Sequence, residues 1–273
     1  MNASREPRIA LVTGASSGMG RSIAISLLKE GYVVFGAARS MDGMSDLAAA
    51  GGATLDVDVT DDLGVKSAVE QIVARHGRID VLINAAGYGA YGAIEDVSME
   101  AAHRQFEVNV FGYARTIQAA LPHMRRQRSG KIVNITSVGG KIYTPMGGWY
   151  HASKFAMEGY SDVLRLEVRP FGIDVVVIEP SIINSGWGVR AMAEANRNSR
   201  SGAYQNLLDT YVKIQRTAKG SSPETVALLV LEVLDTHRPK ARYYVGKGAG
   251  ILLFLRRHLS DRLFDRVITA FFR

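Results

Sequence analysis

Apolar strand-like runs alternate with amphipathic helical runs over residues 8–245, and that alternation leaves few architectures open. Residues 8–13 read as a buried strand. Residues 19–29 read as a helix with Ile23, Leu27 and Leu28 on one side and Gly31 as its stop. Residues 32–38 form the next strand, Val57 and Val59 belong to a short third, and 61–76 are helical. Residues 80–84 make a fourth strand, 99–125 one long helix, 131–137 a fifth strand, 149–169 a helix and 172–179 a sixth strand. Ser222-Pro223-Glu224 marks another helix start, and 241–245 the last strand. Repeated β-α-β units predict an α/β fold, a doubly wound parallel sheet with helices on both faces. No Pro/Gly/Ser linker divides the chain, so one domain over 1–273 is expected.

The first strand and first helix are joined by Thr13-Gly14-Ala15-Ser16-Ser17-Gly18-Met19-Gly20. Glycines there give a tight turn, admit a pyrophosphate close to the backbone and hold the helix near the sheet. The helix N-terminus then offers free N–H groups to phosphate. Gly14, Ser16, Ser17, Gly18, Met19 and Gly20 are therefore candidate dinucleotide contacts. An acid at the end of the second strand would bind a ribose 2′-hydroxyl. The sequence instead reads Ala37-Ala38-Arg39, and an arginine can pair with a 2′-phosphate. NADP(H) is expected over NAD(H). A solvated loop arginine is the plainer reading of Arg39, and Arg21 reads as a surface charge. Asp58 could fix the adenine amino group with Val59 beside it, and Asn84-Ala85-Ala86-Gly87 would lie against the cofactor.

Tyr150 and Lys154 are four residues apart, so a helix puts them on one face. A neighbouring ammonium should lower the phenol pKa from about 10 towards 7, suiting Tyr150 to acid–base work. Lys154 could also hold the nicotinamide ribose. Ser137 would end the fifth strand and orient a carbonyl oxygen. Asn109 is an amide in the apolar stretch Val108-Asn109-Val110-Phe111. It could hold a water that relays protons from Lys154, or be a satisfied buried amide. Any one of these motifs is common. Their order is not: glycine loop, Asn84-Ala85-Ala86-Gly87, Asn109, Ser137, Tyr150 with Lys154.

That ensemble resembles the compact branch of the short-chain dehydrogenase/reductase family, over residues 9–245. The resemblance implies a Rossmann-type sheet of about seven strands, hydride transfer with NAD(P), and the roles above for Asn109, Ser137, Tyr150 and Lys154. It also implies cofactor contacts from Pro180, Ser181, Ile183 and Ser185, and a homo-oligomer formed through the two long helices. Local wording is similar to the hydroxysteroid and retinol dehydrogenase-like subgroup: Gly87-Tyr88-Gly89, Phe106 to Gly112, Ile178-Glu179-Pro180 and Arg242 to Gly246. The subgroup implies a lipophilic alcohol or ketone as substrate. Two departures stand out. Ala85 replaces a second asparagine, which should loosen that loop. Ser185 replaces a threonine but keeps a hydroxyl for the nicotinamide carboxamide, whereas Ser181 replaces a glycine and adds bulk there, so altered cofactor affinity is expected.

Residues 181–221 are long and irregular and should form a substrate lid, with Trp187, Met192, Tyr204, Leu207, Leu208 and Tyr211 as an apolar wall. Tyr143, Met146 and Trp149 should line the same pocket, and His151 should face away. Residues 250–273 carry leucines and phenylalanines among Arg256, Arg257, Arg262 and Arg266. This amphipathic basic tail could dock on its own domain, cap a dimer or touch a membrane surface. The chain has no cysteine, so thiolate zinc sites and cysteine nucleophiles are excluded. No histidine pair has metal-ligand spacing, and no metal is expected. No apolar run reaches the ~20 residues of a membrane span. No signal-peptide segment precedes the first strand, and a cytoplasmic protein is expected. Net charge is +7, yet no basic stripe is interleaved with stacking aromatics, so no nucleic acid is expected. A non-catalytic NADP-binding redox sensor is the alternative, disfavoured by the intact tetrad. An epimerase or dehydratase is disfavoured by the absence of a large C-terminal substrate domain.

Overall fold

The computed structural model describes residues 6–272; the expectations about residues 1–5 and 273 lie outside them. Seven parallel strands form one sheet in the order β3-β2-β1-β4-β5-β6-β7. They are β1 Ile9–Thr13, β2 Val33–Ala38, β3 Ala53–Asp56, β4 Val81–Asn84, β5 Gly130–Ile135, β6 Ile173–Pro180 and β7 Arg242–Val245. The order reverses between β1 and β4, and ligands bind at such a switch point, outside the carboxyl ends of the strands.

Alternation along each strand divides the core in two. Ala10, Val12, Val34, Ile83, Val133 and Val176 face one side, with Ile23 and Leu27 of α1 (Gly18–Lys29), Leu47 of α2 (Ser45–Ala49) and Val230 of α9 (Pro223–Asp235). Ile9, Leu11, Phe35, Leu82, Ile132 and Val175 face the other. There they meet Val69 and Ile72 of α3 (Asp62–His76), Ile117 of α5 (Gly112–Gln127) and Leu164 of α6 (Gly148–Val168). Buried on both faces, the strands read as apolar runs, which is why they were legible.

Several boundaries differ from expectation. Val57 and Val59 lie beyond β3, because pairing with β2 ends at Ala38 with Asp56. Ser137 lies beyond β5, where it caps a short turn at Val138–Gly140. The expected helix over 99–125 is α4 (Met99–Phe106), a π-turn at Glu107–Phe111, and α5. A π-turn inserts one residue into the helical repeat, and Asn109 sits inside it. Residues 181–221 are not irregular: they hold α7 (Trp187–Asn198) and α8 (Gln205–Thr217). A parallel bridge of Ile183 with Ser221 closes its base. The tail is two helices, α10 (Ala249–His258) and α11 (Asp261–Phe271), and Phe264 and Ile268 bury against Val138 and Ile142. Docking on its own body is thus one thing the tail does.

Candidate active site

A cleft of about 1520 Å³ opens along the carboxyl ends of the strands. One wall is the loop from β1 to α1. Gly14 has φ +69°, and a Cβ there would come within 2.8 Å of the Ala86 Cα, so only glycine fits. Thr13 Oγ1 accepts from Ala85 N (3.1 Å) and Ala86 N (3.2 Å), pinning that loop without the missing asparagine. Ser17, the N-cap of α1, makes no side-chain capping bond, and the first turn carries no acid. Its free N–H groups and positive dipole end therefore face the cleft, which fits a pyrophosphate. Gly14, Ser16, Ser17, Gly18, Met19, Gly20, Arg39, Asp58, Val59, Ala85, Ala86, Gly87, Pro180, Ser181, Ile183 and Ser185 all line it.

Asn84 does not. It is fully buried, donating from Nδ2 to Asn134 (3.0 Å) and accepting from the Thr116 hydroxyl (2.6 Å). Its side chain braces β4 against β5 and α5. Arg39 is mostly exposed, 3.8 Å from Asp58, whose Oδ1 accepts from the amide and hydroxyl of Thr60. Those bonds and the nearby Arg39 and Arg104 hold the Asp58 carboxyl below its usual value against burial.

The end of β5 holds one face of α6. Ser137 lies against the Tyr150 hydroxyl, Lys154 Nζ donates to the Ile135 carbonyl (3.0 Å), and the Thr136 hydroxyl donates to Glu158 (2.6 Å). Tyr150, Lys154 and Glu158 follow at four-residue steps, so three successive strand-end residues grip three successive turns. The expected fall in the Tyr150 pKa is not found. Burial pushes it up to about 12, with the Ser137 hydrogen bond opposing. Burial also pushes Lys154 down to about 8, with Glu158 opposing. The Lys154 ammonium sits 6.0 Å from the centre of the Tyr150 ring and gives its hydrogen bond to the Ile135 carbonyl.

Asn109 is fully buried, and its amide is engaged on all sides. Nδ2 donates to the Tyr88 carbonyl (3.0 Å) and Ser153 Oγ (3.3 Å), and Oδ1 accepts from Tyr88 N (3.1 Å). The side chain ties the π-turn to the β4 loop and to α6. It has no free donor left for a relay water.

Of the expected pocket residues, Trp187 is in place, its ring 5.2 Å from Tyr150 and 5.4 Å from Tyr91. Met146, Leu208 and Tyr211 join the same apolar cluster, with Met192, Tyr204 and Leu207 around it. Tyr143 and Trp149 turn elsewhere. Tyr143 packs on Phe264 of the tail and donates its hydroxyl to Asp265 (2.9 Å). Trp149 meets Phe106 edge-on, at 6.3 Å. Tyr143 precedes α6 and Trp149 lies in its first turn, and each is drawn away by an aromatic neighbour that helical spacing does not reveal. His151, expected to face away, lines the cleft beside Tyr150 and braces its loop: Nε2 accepts from Thr144 N (3.1 Å), which leaves Nδ1 to donate to the Gly139 carbonyl (2.9 Å).

A buried charge cluster behind Lys154 escaped the sequence reading. Glu158 receives Arg242 Nε (2.8 Å) and Lys141 Nζ (3.1 Å). Glu179 is buried beside it, 3.6 Å from Arg242, with Oε1 accepting no hydrogen bond among the described residues. Burial and then Glu158 push Glu179 up to about 7. The four-residue step from Lys154 to Glu158 was the available signal.

The family model described as short chain dehydrogenase matches residues 8–196. The chain is 35% identical over 274 residues to a 3-ketodihydrosphingosine reductase of Bacteroides thetaiotaomicron, covering 98% of each. A short-chain dehydrogenase from Streptomyces avermitilis superposes with a TM-score of 0.82 at 32% identity, over 97% of this chain and 99% of that one. A short chain dehydrogenase/reductase from Burkholderia phymatum, solved in complex with NAD, gives 0.79 at 26% identity, over 92% of each.

Proposed function

The chain belongs to the short-chain dehydrogenase family, and we propose that it is an NADP(H)-preferring enzyme interconverting a lipophilic secondary alcohol and its ketone. An NAD(P)-dependent dehydrogenase or reductase is what the family supplies. The finer reading rests on one observation above all. Tyr150 stands between the Ser137 hydroxyl and the Trp187 ring, so a proton donor meets an apolar wall at one point of the cleft.

When bound, the nicotinamide gives or takes a hydride. The chain's own residues do the rest. Tyr150, raised to about 12, holds its proton at neutral pH and is in the acid form that ketone reduction needs. In oxidation it takes the proton back. Ser137 donates to the same substrate oxygen and fixes its distance from the phenol. Lys154 keeps one N–H on Ile135, and its other donors are assigned to the cofactor ribose. Asn109 serves by position: it holds Tyr88 on the cleft wall and Ser153, the residue before Lys154. Arg39, with no acid at the end of β2, is assigned the 2′-phosphate.

Residues 181–221 form the lid in this reading. Trp187, Leu208 and Tyr211 face Tyr91 and Met146 in one apolar cluster, which supports a hydrocarbon-rich substrate. The relative named for 3-ketodihydrosphingosine, a long-chain ketone, supports the same class. The exposed Phe155 and Leu166, three turns apart on α6, support a homo-oligomer through that helix.

The test follows nicotinamide absorbance with NADPH and NADH across long-chain 3-keto lipids and small aryl ketones, with Tyr150→Phe beside the wild type. Turnover of the lipid ketones that vanishes in Tyr150→Phe is expected. Tight NADPH binding with no turnover of any ketone would overturn it in favour of the sensor.

A further inference from the structure

The tail has two faces. Its inner face buries Ala249, Phe264 and Ile268 against Val138 and Ile142. Its outer face leaves large apolar side chains in solvent: Ile251 is 68% exposed, Phe254 62%, Leu263 46% and Phe271 66%. Ile251 and Phe254 are one turn apart on α10, with His258 a turn further, its ring against Phe254 at 4.4 Å. Leu263 and Phe271 are two turns apart on α11. An isolated exposed leucine needs no explanation, but four such residues on two consecutive helices form a patch that does.

The exposed charges around this patch are mostly basic. Lys247, Arg257, Arg262 and Arg266 are all exposed. The tail's two carboxylates are both engaged, Asp261 by Arg256 (2.8 Å) and Asp265 by the Tyr143 hydroxyl (2.9 Å). Apolar side chains rimmed by exposed arginines match a phospholipid surface of negative charge: hydrocarbon below, phosphate at the level of the guanidinium groups. No helix among the described residues is long and apolar enough to cross a membrane, so contact would be from one side.

The same tail borders the cleft. Lys247, Leu252 and Phe272 line it, and Phe272 touches both the lid cluster and the tail cluster. A helix with its side chains is about 10 Å across. The cleft rim and the outer patch are thus separated by one helix.

We propose that α10 and α11 dock this protein on an anionic phospholipid bilayer, with Ile251, Phe254, Leu263 and Phe271 entering the acyl boundary and Arg257, Arg262 and Arg266 meeting lipid phosphates. Docked so, the cleft mouth lies at headgroup depth, and a lipophilic substrate passes between bilayer and cleft with little exposure to water. This second consequence rests on the lipophilic-substrate reading; docking itself does not.

The experiment is co-sedimentation of the full chain with vesicles of equimolar phosphatidylglycerol and phosphatidylcholine, and with phosphatidylcholine alone. Binding to the anionic vesicles is expected, weakened about tenfold or more on neutral vesicles or when Arg257, Arg262 and Arg266 are all changed to Gln. Ile251→Ser with Phe254→Ser should abolish it. Both residues are solvent-facing, so that variant should keep its circular dichroism and its turnover of a water-soluble ketone. Equal sedimentation with and without phosphatidylglycerol, or none with either, overturns the proposal. So does a tail-dependent dimer, seen by analytical ultracentrifugation, that the Ser variant dissociates while no vesicle binding occurs. Failure of the function reading shows separately, as absence of turnover in a protein that still binds vesicles.

Discussion

Glu158 and Glu179 are two buried carboxyl groups competing for one guanidinium. Arg242 Nε is 2.8 Å from Glu158 and 3.6 Å from Glu179. Lys141 also goes to Glu158. Glu158 thus has the cations and Glu179 keeps the proton, displaced from 4.5 to about 7. The folded chain binds a proton that the unfolded chain releases in this window. Glu179's contribution to stability is complete below about pH 4.5 and is lost as pH rises through about 7.

Glu179→Gln should therefore flatten the decline in stability between pH 5 and 8 and stabilise the protein at pH 8 by about 1–2 kcal/mol. Burial lowers the His151 pKa, which contributes with the opposite sign. The quantity to compare is consequently the difference between variant and wild type in urea midpoints at the two pH values. If that difference is the same at both, Glu179 does not carry the proton.

Arg39 is 65% exposed and only loosely paired to Asp58, so it is free to turn onto a 2′-phosphate. A charge-assisted hydrogen bond of that kind contributes about 1.5–3 kcal/mol. Arg39→Asp should raise KM for NADPH about ten- to a hundredfold and leave KM for NADH the same or lower. An unchanged ratio of kcat/KM for the two cofactors would return Arg39 to the solvated loop.

The sheet and the cradle were legible because their signals are local. A strand buried on both faces must be apolar, and a glycine loop between strand and helix has one geometry that admits phosphate. Tyr150 and Lys154 were legible because helical spacing aligns them. What failed depended on neighbours distant in sequence. Asn84 looked like a cofactor contact until Thr116 and Asn134 were seen to claim it. Tyr143 looked like pocket lining, but α11 draws it away. The Tyr150 pKa follows burial, which the Lys154 charge alone does not predict. The π-turn has no sequence signature apart from the polar residue it accommodates.

Asn109→Ala would strand the half-buried amide of Tyr88, whose carbonyl keeps Gln105 Nε2 at 2.7 Å, and would remove the Ser153 contact. Each buried polar group so stranded costs about 1–3 kcal/mol. A loss of about 1–3 kcal/mol in urea-derived stability is expected, together with weaker turnover as the Tyr88 loop moves. Full stability with activity lost would instead show that Asn109 acts on the reaction directly.

Ser181 stands where a glycine would be ordinary, and its hydroxyl donates to the Lys247 carbonyl at 2.9 Å. Gly246 before it has φ +98°, and a Cβ there would lie 2.5 Å from Ser181 Oγ. The serine therefore ties β6 to the joint between β7 and the tail, at the rim of the cleft. Ser181→Gly should release that joint and raise the NADPH dissociation constant about fivefold, the equivalent of one neutral hydrogen bond. Gly246→Ala should destabilise the fold by about 2–3 kcal/mol, from the left-handed backbone and from the clash with Ser181 together. Ser181→Gly removes the clash but not the backbone strain. The double variant should accordingly be more stable than the sum of the singles by about 1 kcal/mol. Strict additivity, or a dissociation constant unchanged in Ser181→Gly, would mean that the two residues do not act on each other or on the cofactor.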